Sequence, residues 1–369
     1  MSRPDFDAEP VDPAERSQAA VGGATLNRRR SLILGAVGLA ILVLIFVRVI
    51  PQVGSYADAA VALRAMTPWA VLVIAATVVL YLGVYGLPFM AATPGLAFWR
   101  SQQVNQAAFT LGNGLPAGGA FAVGVQYAML TGYGTTLAVA TAAITAVGVW
   151  SVFVTLGVPV LGVGAIQMSG HASGAYLLPA AVGLGVLMAA IVGFALVMRS
   201  ESLARALGRA GNQVVHLGLR LLRRPKVVDL VPAVVGFRAS VVALVRRRWA
   251  AITAAQLAVS FAQFLILFAA LRGVQGWSGA GTSVLVAFGA FAVAQLGLMI
   301  PVTPGGLGTV DAAMIAMLTN MGVPAGQATA ADLVWRAASF VPQIVVGLVA
   351  LIAWSHGASR RVGARRHPG

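Results

Sequence analysis

The sequence predicts an all-α integral membrane protein with about six transmembrane helices plus two re-entrant helix pairs arranged as inverted repeats. Three observations carry that prediction. Hydrophobic residues make up 59% of the 369 positions and charged ones only 9%, with a mean hydropathy of +0.87; soluble domains carry roughly one-quarter charged residues. Two apolar stretches, each broken by proline and glycine, recur at a fixed offset. Basic residues gather beside alternate apolar spans.

The recurrence is the most specific of the three. From Ile300 to Pro324 the chain reads IPVTPGGLGTVDAAMIAMLTNMGVP, with Pro301, Pro304, Gly305, Gly306 and Gly308 close together. These residues remove amide donors and helix propensity together. Irregular backbone at membrane depth is tolerated only where protein or a cavity satisfies its polar groups. The stretch therefore predicts one short helix in, a break, and a second helix out. Leu115 to Gly134, LPAGGAFAVGVQYAMLTGYG, has the same form. A shift of 188 positions takes Pro116 to Pro304, Gly118 to Gly306 and Gly134 to Gly322. It also lays Ala128-Met129-Leu130-Thr131 on Ala316-Met317-Leu318-Thr319, and Thr141-Ala142-Ala143 on Thr329-Ala330-Ala331, without a gap.

In chain order, residues 1–30 are polar, carry Pro4, Pro10, Pro13 and five acids, bury too little to fold, and are expected to form a disordered cytoplasmic tail. Arg28-Arg29-Arg30 precedes an apolar run over 31–50, near the ~20 residues of a spanning helix rather than the 7–15 of a signal core, so it is expected to be an uncleaved first span. Residues 55–66 predict an outer interfacial helix and 69–93 the second span. Residues 99–113 and 116–131 form the first re-entrant pair, 135–161 leads out and 175–198 leads back. The segment 199–248 holds eleven basic residues against Glu201 and Asp229 and predicts amphipathic helices on an anionic inner surface. Residues 250–271 form the fifth span, 282–321 the second re-entrant pair, and 328–354 the sixth span before a basic cytoplasmic tail at 357–369.

Outer loops offer only Arg64 and Arg272, with Arg48 near a helix end, so the positive-inside rule puts both termini in the cytoplasm. The membrane domain is expected over 31–356. Repeat one (about 69–161) then begins outside and repeat two (about 250–356) inside. Inverted repeats with broken helices in matching positions place a substrate site between the repeats in many secondary transporters.

The candidate binding residues are Pro116, Gly118, Gly119, Pro304, Gly305, Gly306, Gly308, Thr309, Asp311, Asp332, Trp335 and Arg336. Pro116 and Pro304 are expected to start the returning half-helices, with Thr309 capping the second, so that unpaired amides and a positive dipole end meet an anion. The alternative is that the breaks only bend helices for packing. Asp332 and Arg336 lie four apart on one helical face and are expected to pair, either around a lipid phosphate or as a purely structural ion pair. Asp311, in the first turn after the break, is a cap or a proton-carrying group. Gln102, Gln103, Asn105, Gln106 and Asn113 either line a wet vestibule or bond helix to helix. Arg100 is expected to anchor at the interface.

There is no cysteine, hence no disulfide and no thiolate site. His171, His216, His356 and His367 are scattered, and no catalytic carboxylate pair or phosphate-binding glycine loop before a lysine occurs. No enzyme activity, metal or cofactor is expected.

TPGGLGTVDAAMIAML, followed by Asp332, Trp335 and Arg336, resembles the flippase-like transmembrane domain of the lysylphosphatidylglycerol synthase family over about Ser31 to Trp354. The resemblance implies a Pro-Gly-Gly-x-Gly break, an acid at Asp311 and an aromatic-arginine pair at Trp335 and Arg336. It also implies movement of a phospholipid from the inner to the outer leaflet of a bacterial membrane. No aminoacyl-transferase domain follows Trp354, so the chain is not expected to synthesise lysylphosphatidylglycerol. Many relatives carry an acid and an arginine after the first break, where this chain has Ala120, Phe121 and Ala128, which leaves the lipid open.

The expected function is thus lipid translocation across the bacterial inner membrane, with an anionic headgroup held between the repeats. The alternatives are a proton-coupled carrier of a polyprenyl phosphate or small anion, and a non-transporting scaffold for a lipid-modifying enzyme. Expected partners are membrane phospholipids or other lipid-linked anions, with anionic inner-leaflet lipids at 199–248. No nucleic acid is expected, and a homo-oligomer stays open.

Overall fold

The computed structural model describes residues 56–114, 118–170, 177–200, 231–277, 281–299 and 304–366, with isolated helical positions between 202 and 212. The expected tail at 1–30, the span at 31–50, Pro116 and most of 199–230 lie outside the described residues. The helices are α1 (Tyr56–Arg64), α2 (Pro68–Val84), α3 (Leu87–Ala92), α4 (Phe98–Gly114), α5 (Gly118–Gly132), α6 (Leu137–Met168), α7 (Leu177–Arg199), α8 (Val231–Gln275), α9 (Val284–Ala294), α10 (Thr309–Asn320) and α11 (Ala325–Arg366). Two 3-10 turns, Gln295–Met299 and Pro304–Gly306, flank the second break. No strand occurs among the described residues.

Four stretches are long and apolar enough to cross a membrane: Pro68–Ala92, Leu137–Met168, Val241–Gln275 and Ala325–His356. They coincide with four of the six expected spans, and α7 occupies the place of another. Hydroxyl residues open three of the helices in the way N-caps do. Thr67 accepts from the Ala70 amide just before Pro68, Thr136 from Val139, and Ser283 from Val286. Leu72, Val79, Leu161, Val345 and Ile352 are exposed, an apolar surface that suits lipid rather than water.

Both expected hairpins form. α4 and α5 are the arms of the first; α9 with its 3-10 turn and α10 are the arms of the second. The two returning arms end in the same cap. The Thr135 amide bonds the Leu130 carbonyl and the Val323 amide bonds that of Leu318. Gly134 and Gly322 take positive φ, 91° and 89°. This is the six-to-one bond and left-handed residue of a Schellman ending, at positions related by the 188-residue shift. Packing is exchanged between the two halves. α11, which follows the second hairpin, packs on α4 of the first; α6, which follows the first, packs on α9 of the second; α2 packs on α8.

Close approach is built with glycine where the hairpins meet their neighbours. A Cβ at Gly347 would fall 2.0 Å from Thr110 Oγ1, and one at Gly162 2.4 Å from Ala292 Cβ. The largest buried cluster joins α2, α8, α9, α10 and α11 through Tyr81, Phe264, Phe291, Met314, Leu318 and Trp335.

Two expectations are corrected. The basic stretch before the fifth span does not form separate surface helices throughout: residues 231–275 are one helix of 45 residues. No proline or glycine interrupts 237–272, so nothing ends the helix at the interface. At ~1.5 Å per residue it is roughly twice the ~30 Å hydrocarbon thickness, and its N-terminal part extends beyond the apolar span. The second returning half-helix begins at Thr309, not at Pro304, because Gly305, Gly306 and Gly308 all take positive φ and hold the intervening residues out of helical geometry.

Candidate functional site

The second break places Asp311 in the first turn of α10, where a carboxylate offsets orphan amides and the helix dipole. One of its oxygens accepts from the Gly308 amide. The other accepts from Arg336 Nε at 2.6 Å, in an ion pair between α10 and α11. Asp311 is 0% exposed and Arg336 6%. A pair this deep persists only with good geometry and additional hydrogen bonds, and the surroundings supply them. Arg336 Nη1 reaches the Gly305 carbonyl at 3.4 Å, and the guanidinium lies over the Trp335 and Phe340 rings at 4.6 and 4.9 Å. Nη2 is buried and has no partner.

The pair predicted by spacing, Asp332 with Arg336, is therefore not the one formed. Arg336 turns to Asp311 on the neighbouring helix. Asp332, 1% exposed, keeps both carboxylate oxygens without a hydrogen-bond partner. Proximity along one helix offers a partner; the Asp311 carboxylate, already fixed by the Gly308 amide, offers a better oriented one.

Thr309 is likewise not the cap. Gly308 occupies that position, and the Thr309 hydroxyl donates toward the Gly297 carbonyl at 3.0 Å and the Gly306 carbonyl at 3.2 Å. It ties the two arms of the hairpin together. The group nearest the α10 amides is the protein's own Asp311 carboxylate, so this N-terminus is already neutralised from within.

Arg336, Trp335, Phe340 and Gly305 form one wall of a cavity of about 510 Å³. The other walls come from α2 and its C-cap (Tyr81, Tyr85), α4 (Asn105, Asn113), α6 (Ser151, Thr155) and α8 (Gln256, Ser260, Gln263), with Gln126 and Gln295 completing the polar lining. Gln295 Nε2 donates to Gln263 Oε1 at 3.3 Å, and Trp335 Nε1 to the Gln263 carbonyl at 3.1 Å. Among the described lining residues, Arg336 is the one cation. The chemistry on offer is a single guanidinium edge in a neutral, hydrogen-bonding chamber, suited to one oxyanion.

The predicted residues divide by location. Gly305, Trp335 and Arg336 line the cavity; Asp311 and Thr309 hold it from behind; Gly306 and Gly308 shape the turn. Pro304 stands in the 3-10 turn before them. Gly118 and Gly119 are not in the cavity wall. Gly118 packs against α4, where a Cβ would lie 2.1 Å from the Leu111 carbonyl, and Gly119 is exposed. Pro116 lies outside the described residues. The two breaks do meet at one point: a Cβ at Gly305 would fall 2.7 Å from Asn113 Oδ1 at the end of α4.

The polar residues of α4 do both things expected of them. Asn105 and Asn113 line the cavity. Ser101, Gln102 and Asn105 also donate to the carbonyls of Gly86, Leu82 and Tyr85 at the α2–α3 junction. Gln103 accepts from the Tyr133 hydroxyl, and Arg100 stacks over the Tyr133 ring at 5.3 Å. Sequence reasoning missed the α8 face. Gln256, Ser260 and Gln263 are spaced four and three apart in the mainly apolar membrane part of α8, a polar stripe legible from helical periodicity.

Beside the polar cavity is an almost wholly apolar groove of about 730 Å³ between α6, α7 and α8. Val154 and Val158 belong to both walls.

The family model described as Lysylphosphatidylglycerol synthase TM region matches residues 32–347, which include both hairpins and the whole site. No match was found among curated proteins.

Proposed function

The chain belongs to the lysylphosphatidylglycerol synthase TM-region family, a membrane domain tied to lipid metabolism or transport, and from that premise we propose that it moves a phospholipid or related lipid-linked anion between leaflets. The observation that carries this reading is the unpartnered Nη2 of Arg336 on the wall of the polar cavity. A phosphate oxygen is among the acceptors that a guanidinium edge binds most strongly. The adjoining apolar groove suits acyl chains that stay among apolar side chains while the headgroup occupies the cavity. The protein is read as a carrier rather than an enzyme.

The matched caps and exchanged packing of the two hairpins favour inverted repeats, with the cavity between them. Rocking of one repeat against the other would expose Arg336 to each leaflet in turn. In this reading the protein lies in the bacterial inner membrane with both termini in the cytoplasm, and its basic segment meets anionic lipids.

Purified protein in liposomes carrying labelled phospholipids of different headgroups tests the reading. Expected is accelerated exchange between leaflets with a preference among headgroups, lost in Arg336→Gln. Absence of exchange for every lipid, with protein shown to be folded, overturns it.

A further inference from the structure

Three buried ionisable groups from two helices converge on the second break, and their charges do not cancel. Asp311 and Arg336 form one ion pair. Asp332 adds a second carboxyl, 1% exposed, with neither oxygen hydrogen-bonded. The charges acting on it are those of Asp311 from α10 and Arg336 from α11. From α2 the Tyr81 hydroxyl faces Arg336 and donates to Gln343 Oε1, and Tyr85 follows at the end of the helix. The charged residues of α4 and α8 within the described spans are engaged elsewhere or exposed. Arg100 lies over Tyr133, Arg272 donates to the Trp277 carbonyl, and Arg246, Arg247 and Arg248 are exposed. Arg64 of α1 is exposed too.

We propose that Asp332 is a proton-binding site, and that its proton governs whether Arg336 is free to take an anion. A carboxylate without a partner in an apolar interior is costly enough that the group neutralises by binding a proton. Where two carboxyls share one site, one of them holds it. Asp311 is the partner already supplied with donors, from the Gly308 amide and Arg336 Nε. Asp332 is the partner that gains from protonation, since its orphan acceptor becomes an O–H donor facing Asp311.

The proton's departure has a defined consequence. The cluster then carries net charge −1, and one helical turn away on the same face Arg336 Nη2 is an unfilled donor. The Asp332–Arg336 pair that the four-residue spacing suggests is the pair of the deprotonated state. Forming it withdraws the unpartnered Nη2 of the guanidinium from the cavity, and the extra negative charge repels an incoming anion. Anion and proton therefore bind together, each favouring the other by the same factor.

The proton site stands on the cluster alone; its link to an anion rests on the proposed headgroup site, and two measurements separate them. Infrared difference spectra of the full chain in liposomes, followed through an acid-to-base titration, should show a protonated-carboxylic-acid band that is present in wild type and missing in Asp332→Asn. A band absent from wild type, or unchanged in Asp332→Asn, overturns the proton site. Binding of short-chain phosphatidylglycerol should weaken by about tenfold per pH unit above the titration point of that band, as linkage to one proton requires, and should lose this dependence in Asp332→Asn. If wild-type binding is independent of pH, or this lipid does not bind at any pH while the band behaves as stated, the coupling to an anionic headgroup is overturned and the proton site is retained.

Discussion

The two hairpins use one backbone device and load it differently. At the first break the arms approach through Gly118, which lies against the Leu111 and Gly112 carbonyls. The first arm is moored to α2 and α3 by neutral donors from Ser101, Gln102 and Asn105. At the second break three glycines with positive φ bend the chain around an ion pair, Asp311 with Arg336. The first is a packed, neutral wall, and the second carries the charge. Two hairpins of one backbone form thus carry different chemistry. The sequence already hints at this, since the 188-residue shift lays the uncharged Val123 and Gly148 on Asp311 and Arg336.

The comparison breaks most visibly at the ion pair. Arg336→Gln strands the Asp311 carboxylate in the interior, and a cost of about 3–5 kcal/mol is expected, read as a lower midpoint of thermal unfolding in detergent. The double variant Asp311→Asn with Arg336→Gln should recover much of that loss while leaving lipid exchange absent. If the double variant is no more stable than the single one, the second break is not held by charge.

A smaller effect is expected at the first break. Gly118→Ala puts a methyl group 2.1 Å from the Leu111 carbonyl and 2.7 Å from that of Gly112, and overpacking of this kind costs about 1–3 kcal/mol. The same unfolding measurement checks it. An unchanged midpoint would mean that the arms of the first hairpin are free to separate. Smallest is Thr309→Val, which removes hydrogen bonds to the Gly297 and Gly306 carbonyls. A loss of about 0.5–1.5 kcal/mol should appear, together with faster amide exchange at the start of α10.

The hairpins were legible because proline and glycine act locally. Pro304, Gly305, Gly306 and Gly308 interrupt a helix in any surroundings, and Gly134 and Gly322 end one. The shift that aligns them in the sequence aligns their caps in space. The start of α10 was misplaced by five residues for the same local reason read one step short: three successive sites of positive φ delay the helix beyond the proline. The cavity was legible only in part. Arg336, Trp335 and Gly305 stood out as a charge, an aromatic and a breaker in apolar sequence. The stripe of Gln256, Ser260 and Gln263 carried a helical period that composition alone hides.

By itself, the sequence determined that this chain is an apolar helical membrane protein of the lysylphosphatidylglycerol synthase TM-region family, with two broken hairpins at matching positions. These follow from hydropathy and backbone chemistry, which act over a few residues. Only the tertiary structure decided which carboxylate Arg336 chooses. Asp332 is the nearer in sequence, at four residues, and Asp311 the farther, at twenty-five. An ion pair is chosen by the orientation and solvation of both partners. Packing of α10 against α11 brings a carboxylate already fixed by the Gly308 amide to the guanidinium, and leaves Asp332 without a partner.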